Sequence, residues 1–157
     1  MTISSPVVSN ASPLIALGQI GHIDLLERLF SSLLVPPAVV QESAPTVTLP
    51  TWISERSLAQ PIGPQILRAS LGPGESEALS LALEVNATWI LLDERPARRL
   101  AQTLGLSVIG TLGILLASKR RGFLSAIRPC VDALVDFNFR IAPELYDQVL
   151  RDAKESL

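Results

Sequence analysis

Asn10, Glu42, Glu75 and Asp93 are the residues of this 157-residue chain whose types and places could do chemistry. Asn10 closes the apolar run Pro6-Val7-Val8, and Asp93 follows the uninterrupted apolar run Trp89-Ile90-Leu91-Leu92. Glu42 and Glu75 fall on stretches expected to be adjoining helices. All four carry acceptor oxygens and none is a nucleophile. Carboxylates gathered at strand ends suit a hard divalent cation, Mg²⁺ or Mn²⁺, which takes oxygen ligands and polarises phosphoryl oxygens. Acids held that close without a cation would repel one another. For Glu75 and Asp93 the competing reading is structural, since acids in the first turn of a helix complement its dipole.

Other chemistries fail on residue types. With one Cys (Cys130) and one His (His22), no zinc site of the usual Cys/His kind can be built within one chain. Gly105 and Gly110 have the glycine spacing of a phosphate-binding loop, but Thr111 stands where its Lys belongs. Gly72-Pro73-Gly74 lacks the third glycine of a dinucleotide fingerprint, because Glu77 holds that place. His22 and Cys130 read as packed residues rather than as a base and a reactive thiol.

The elements that must position the acids alternate. A strand over Pro6–Val8 precedes a helix opened by Ser12-Pro13, with the hydroxyl as cap. A helix near Ile23–Phe30, a strand at Leu33–Val35 and a short helix through Val39, Val40 and Glu42 follow. Residues 44–64, punctuated by Pro45, Pro50, Pro61 and Pro64, are the least regular stretch, with a short strand around Trp52–Leu58. A buried helix starts near Glu75, the Trp89–Leu92 strand is of the parallel central kind, and Pro96 opens the next helix. Leu106–Ile109 reads as a strand, Thr111 as the cap of a helix to Arg121, and Pro129 and Pro143 as the starts of two more helices. Such alternation predicts an α/β fold over residues 1–157, one domain with a mainly parallel sheet flanked by helices. In that class the ligand site lies beyond the carboxyl ends of the strands, which is where Asn10 and Asp93 stand.

The formal charge is −2, yet residues 95–128 hold seven basic residues (Arg95, Arg98, Arg99, Lys119, Arg120, Arg121 and Arg128) and no acid. Local potential of that kind can receive a polyanion, and a set of solvated helix faces is the plainer reading. Two Trp, one Tyr and four Phe are the only aromatics, and none alternates with the basic residues, which argues against base-specific reading. The two charge-poor stretches, residues 1–23 and 100–118, are broken by prolines or polar residues. They are expected to be buried parts of a soluble domain with no membrane span. The single cysteine agrees with a cytoplasmic location.

Several blocks occur together in a specific order: Val8-Ser9-Asn10-Ala11-Ser12-Pro13-Leu14-Ile15, Pro36-Pro37-Ala38-Val39-Val40-Gln41-Glu42, Leu71-Gly72-Pro73-Gly74-Glu75-Ser76-Glu77-Ala78 and Leu91-Leu92-Asp93-Glu94-Arg95-Pro96-Ala97-Arg98. With Val108-Ile109-Gly110-Thr111-Leu112-Gly113-Ile114-Leu115 and the tail at Phe139-Arg140-Ile141, they resemble PIN domains over nearly the whole chain, in particular the branch called DUF3368. The resemblance implies a Mg²⁺/Mn²⁺-dependent endoribonuclease, toxin-like, with an antitoxin partner and a homodimeric state. By position it puts metal ligands at Glu42, Glu75 and Asp93, with Asn10 a weak fourth, Glu77 an alternative to Glu75, and Ser12 an accessory hydroxyl. Arg95, Arg98, Arg99, Lys119, Arg120 and Arg121 would receive RNA phosphates. Asn10 departs from the family's first acid: it keeps an acceptor oxygen and lacks the charge. A second reading is therefore a PIN-fold protein that binds RNA or an antitoxin with weakened catalysis. A third is a nucleotide-binding protein with Gly72–Gly74 as its phosphate loop.

Overall fold

The computed structural model describes residues 6–155. Five short strands form one all-parallel sheet in the order β3-β2-β1-β4-β5, where β1 is Val7–Ser9, β2 Leu33–Val35, β3 Ile53–Glu55, β4 Trp89–Leu91 and β5 Val108–Ile109. Among the described residues nine helices flank it: α1 (Ala11–Gln19), α2 (Asp24–Phe30), α3 (Pro37–Ser43), α4 (Ile62–Leu67), α5 (Pro73–Glu84), α6 (Arg95–Thr103), α7 (Thr111–Arg120), α8 (Arg128–Asp136) and α9 (Pro143–Asp152). None is long and apolar enough to cross a membrane. The α/β class, the single domain and the parallel sheet expected from the alternation are what the chain adopts.

The sheet order reverses between β1 and β4, whose register pairs Val7 with Trp89, Val8 with Ile90 and Ser9 with Leu91. All three β1 residues are buried, as apolar parallel strands covered on both faces must be. Leu14 and Leu17 of α1, Leu79 and Leu81 of α5, and Ile114 and Leu115 of α7 close over Ile90–Leu92 to form the core. The run Ala78–Ala82 of α5 is buried throughout, matching a helix whose circumference is apolar after its first turn.

Local details depart from the expected element ends. α1 begins at Ala11, so Asn10 is its cap residue and Ser12 lies inside the helix. Pro13 still falls in the first turn, where an N–H would have no acceptor within the helix. Gly110, not Thr111, is the cap residue of α7. Helix α4 was not expected from a segment punctuated by prolines. Pro61 sits at its cap and Pro64 at its third position, both places where proline is tolerated.

The C-terminal end is tied by one carboxylate. Glu155 accepts the N–H groups of Ile127 (2.8 Å) and Arg128 (3.1 Å) at the start of α8, and the Lys119 ammonium at 2.9 Å. Lys119 also donates to the Ala153 carbonyl at 2.6 Å. Burial pushes the Glu155 carboxyl up, but the Ile127 N–H, Lys119 and the Arg128 N–H together hold it below its usual range. A lowered carboxyl stabilises the fold above the usual carboxylate range, and that contribution fades as pH falls through the lowered value. Glu155→Gln should therefore lower Tm at pH 7 by about 5 °C. Between about pH 5 and pH 3 the variant should lose less stability than the parent, read by thermal melts across that range.

Candidate functional site

Three helices, α1, α5 and α6, begin around one pocket of about 500 Å³ at the carboxyl edge of the sheet. Its walls include Asn10, Ser12, Glu42, Gly74, Glu75, Glu94, Phe137 and Phe139, and no Lys or Arg lines it. The free N–H groups and dipoles of helix N-termini favour negative charge, which lets carboxylates collect here without a basic side chain.

Each acid is placed by its own element. The Asn10 N–H bonds the Leu91 carbonyl at 3.0 Å, extending the β1–β4 ladder by one step, and fixes Asn10 at the pocket floor with 4 % exposure. Glu42, near the end of α3, accepts the Gly74 N–H at 3.0 Å. A Cβ on Gly74 would lie 2.8 Å from the Glu42 carboxyl carbon, so only glycine admits this approach. Glu75, in the first turn of α5, faces the Gly72 N–H through Oε1 at 3.4 Å. Its Oε2 and the Oδ1 of Asn10 are buried and have no hydrogen-bond partner among the described residues. Two orphaned acceptors in an anionic pocket are what a cation or a donor would satisfy.

Burial pushes the Glu75 carboxyl above its usual range; the Gly72 N–H pulls back, while Glu94 and Glu42 push further up. Glu94 was missed from the sequence, where Asp93 drew attention as the first acid after the strand.

Asp93 does not line the acidic pocket. Its carboxylate accepts the Thr111 N–H at 2.8 Å, the Thr111 hydroxyl at 2.8 Å and the Ser12 hydroxyl at 3.0 Å. It thus closes the start of α7 and ties α1 to α7, a structural role taken from just before α6 rather than from a helix's first turn. Ser12 reaches the pocket wall but spends its hydroxyl on Asp93. Glu77 is turned away: it accepts the Ala38 N–H at 3.0 Å and faces Arg68 at 3.6 Å, beside a separate hollow with Pro37 and Pro64. The Gly72–Gly74 turn is no phosphate loop either, since the Glu42 carboxylate already occupies the Gly74 N–H.

The basic residues divide. Arg95 and Arg98 line a groove of about 1270 Å³ next to the pocket, together with Asp93, Glu94 and Arg140. Arg140 was not singled out in the sequence. Arg99 is exposed on α6 and lines neither cavity. Lys119, Arg120 and Arg121 stand at the far end of α7, roughly 12–15 Å along its axis from Thr111. Lys119 is bonded to Glu155, Arg121 lies over the Phe123 ring at 5.4 Å, and none of the three lines the pocket or the groove.

As they stand, no three His, Cys, Asp or Glu side chains among the described residues form a closed metal cage. Mg²⁺ needs none: it keeps several waters and is commonly held by one or two carboxylates plus substrate phosphates. The acidic lining and the two orphaned oxygens fit such a cation.

Two stability measurements separate the acids. A raised carboxyl destabilises the metal-free fold as pH rises through the carboxylate range. Glu75→Gln should thus raise the metal-free Tm at pH 7 by about 2–4 °C, a gain that vanishes near about pH 4. In urea titrations Asp93→Ala should cost about 1–2 kcal/mol, the size of a lost helix cap, and Glu94→Gln less than about 0.5 kcal/mol.

A comparison with family models matches residues 6–155 to DUF3368, a PIN domain. No curated protein and no solved structure matches the chain. The match spans the sheet, the acidic pocket and the C-terminal tie alike: the chain belongs to the DUF3368 family of PIN domains and has their nuclease-type fold.

Proposed function

We propose that the protein is an endoribonuclease that needs Mg²⁺ or Mn²⁺. The observation that carries this reading is the pocket with three carboxylates, no basic side chain and two unpartnered buried oxygens. Glu75 and Asn10 would hold the cation directly. Glu42 and Glu94 would complete the negative field, Glu94 as the exposed acid free to turn inward. When bound, a divalent cation polarises the phosphodiester and neutralises charge that develops on it. Asp93 acts as a positioning residue, holding α7 to α1 through Thr111 and Ser12. Arg95 and Arg98 line the adjoining groove, where flanking phosphates would run.

Membership in the PIN family supports RNA as the substrate, and the family likeness also supports a toxin-like role, a protein antitoxin and pairing of two copies. Ile62 and Ile66, one turn apart on α4 and 63 % and 68 % exposed, offer apolar surface for a partner chain. Asn10 favours the second reading, a binding protein with weakened catalysis, because a neutral amide contributes an oxygen without charge.

Purified protein incubated with a mixed-sequence single-stranded RNA should cut it with Mn²⁺ and not with EDTA. Glu75→Gln and Glu94→Gln should each lower the rate at least about 100-fold. Asn10→Asp should tighten Mn²⁺ binding and speed cleavage. Metal-independent cutting, or cutting indifferent to Glu75→Gln, would overturn the nuclease reading. Cleavage seen only with Asn10→Asp would establish the weakened binding protein instead.

A further inference from the structure

Phe137 is half exposed, at 50 %, on the wall of a pocket lined by acids, amides and small residues together with Ile15 and Phe139. Its backbone is set by the turn that ends α8. The Phe139 N–H bonds the Leu134 carbonyl at 2.9 Å and the Asn138 N–H bonds that of Val135 at 2.9 Å, while Asn138 takes φ 66°. These are the two crossed bonds and the left-handed residue of a helix-ending Schellman motif on α8. Phe139, the residue after the left-handed turn, packs against the core. One ring of this turn is therefore an anchor, and the other is held out at the rim.

The same turn joins two cavities. Ser12, Glu94, Asn138 and Phe139 line both the acidic pocket and the neighbouring groove, into which Arg95 and Arg140 also face. Both arginines are exposed, and neither forms an ion pair among the described residues. An exposed aromatic ring on the wall of the anionic pocket and two guanidinium groups without ion pairs on the adjoining groove thus line connected cavities.

We infer that Phe137 is a stacking platform for one nucleobase beside the cation pocket, with Arg140 and Arg95 receiving the next phosphates of the same strand. This rests on the nuclease reading and deepens it: the occupant is a single strand with an unstacked base at that point. A duplex keeps its bases paired and stacked, out of reach of a ring held by the backbone. Stacking tolerates any base, so the site reads the presence of a base rather than its identity.

The test is a binding cycle in EDTA, so that no strand is cut. Fluorescence anisotropy would compare a labelled oligoadenylate with a base-free ribose-phosphate oligomer of the same length, against the parent protein, Phe137→Ala, Phe137→Trp and Arg140→Ala. Phe137→Ala should bind oligoadenylate about tenfold more weakly and leave the base-free strand unchanged, and Phe137→Trp should restore affinity. Arg140→Ala should weaken both strands alike and reduce the salt dependence.

Equal effects of Phe137→Ala on the two strands, or none on either, would overturn the platform. So would a parent protein that binds neither strand, or a Phe137→Ala variant that only changes oligomeric state in light scattering. Metal-dependent cleavage alongside unchanged binding would sink the platform and leave the nuclease standing. Selective loss of oligoadenylate binding by a protein that never cuts would do the reverse.

Discussion

Parallel pairing of β1 with β4 is the constraint on which the site depends. It is the place where the sheet order reverses, so the helices that follow the two strands leave in different directions and open a crevice between them. Asn10 and the Asp93-Glu94 pair are delivered to the same level because Ser9 and Leu91 are register partners. Packing of α3 on α5 then brings Glu42 to the Gly74 N–H and so beside Glu75. The anionic pocket is a consequence of strand register and of one glycine contact. Its like charges are tolerated because three helix N-termini face them.

Adjacent residues carry opposite duties at the end of β4. Asp93 is engaged by Thr111 and Ser12, whereas Glu94 is exposed where the pocket meets the groove and raises the Glu75 carboxyl. One residue holds the crevice together and the other charges it. Glu75 itself shows the trade between stability and function: burial and neighbouring carboxylates oppose its charged form, and a cation would relieve that opposition.

Much of this was legible in the chain. Apolar runs bounded by Asn, Asp and Pro mark the parallel strands, and the sequence groups Asn10, Glu42, Glu75 and Asp93; the structure puts the first three on one pocket and Asp93 outside it. What could not be read were the directions of side chains at helix starts. Asp93 and Glu94 are one residue apart, and Glu75 and Glu77 two apart, so periodicity alone does not say which of each pair faces the crevice. Helix α4 was hidden because its prolines fall where a first turn tolerates them. The turn at Phe137–Arg140 was invisible for another reason: its left-handed residue is an asparagine rather than a glycine. Where Lys119–Arg121 stand could not be read either, since a count of charges says nothing of the helix end on which they sit.

Crystals of the protein soaked in Mn²⁺ and measured for anomalous scattering would test the central claim most directly. The account predicts one peak in the pocket lined by Asn10, Glu42 and Glu75, lost in Glu75→Gln. A peak at Asp93, or none at millimolar Mn²⁺, would contradict it.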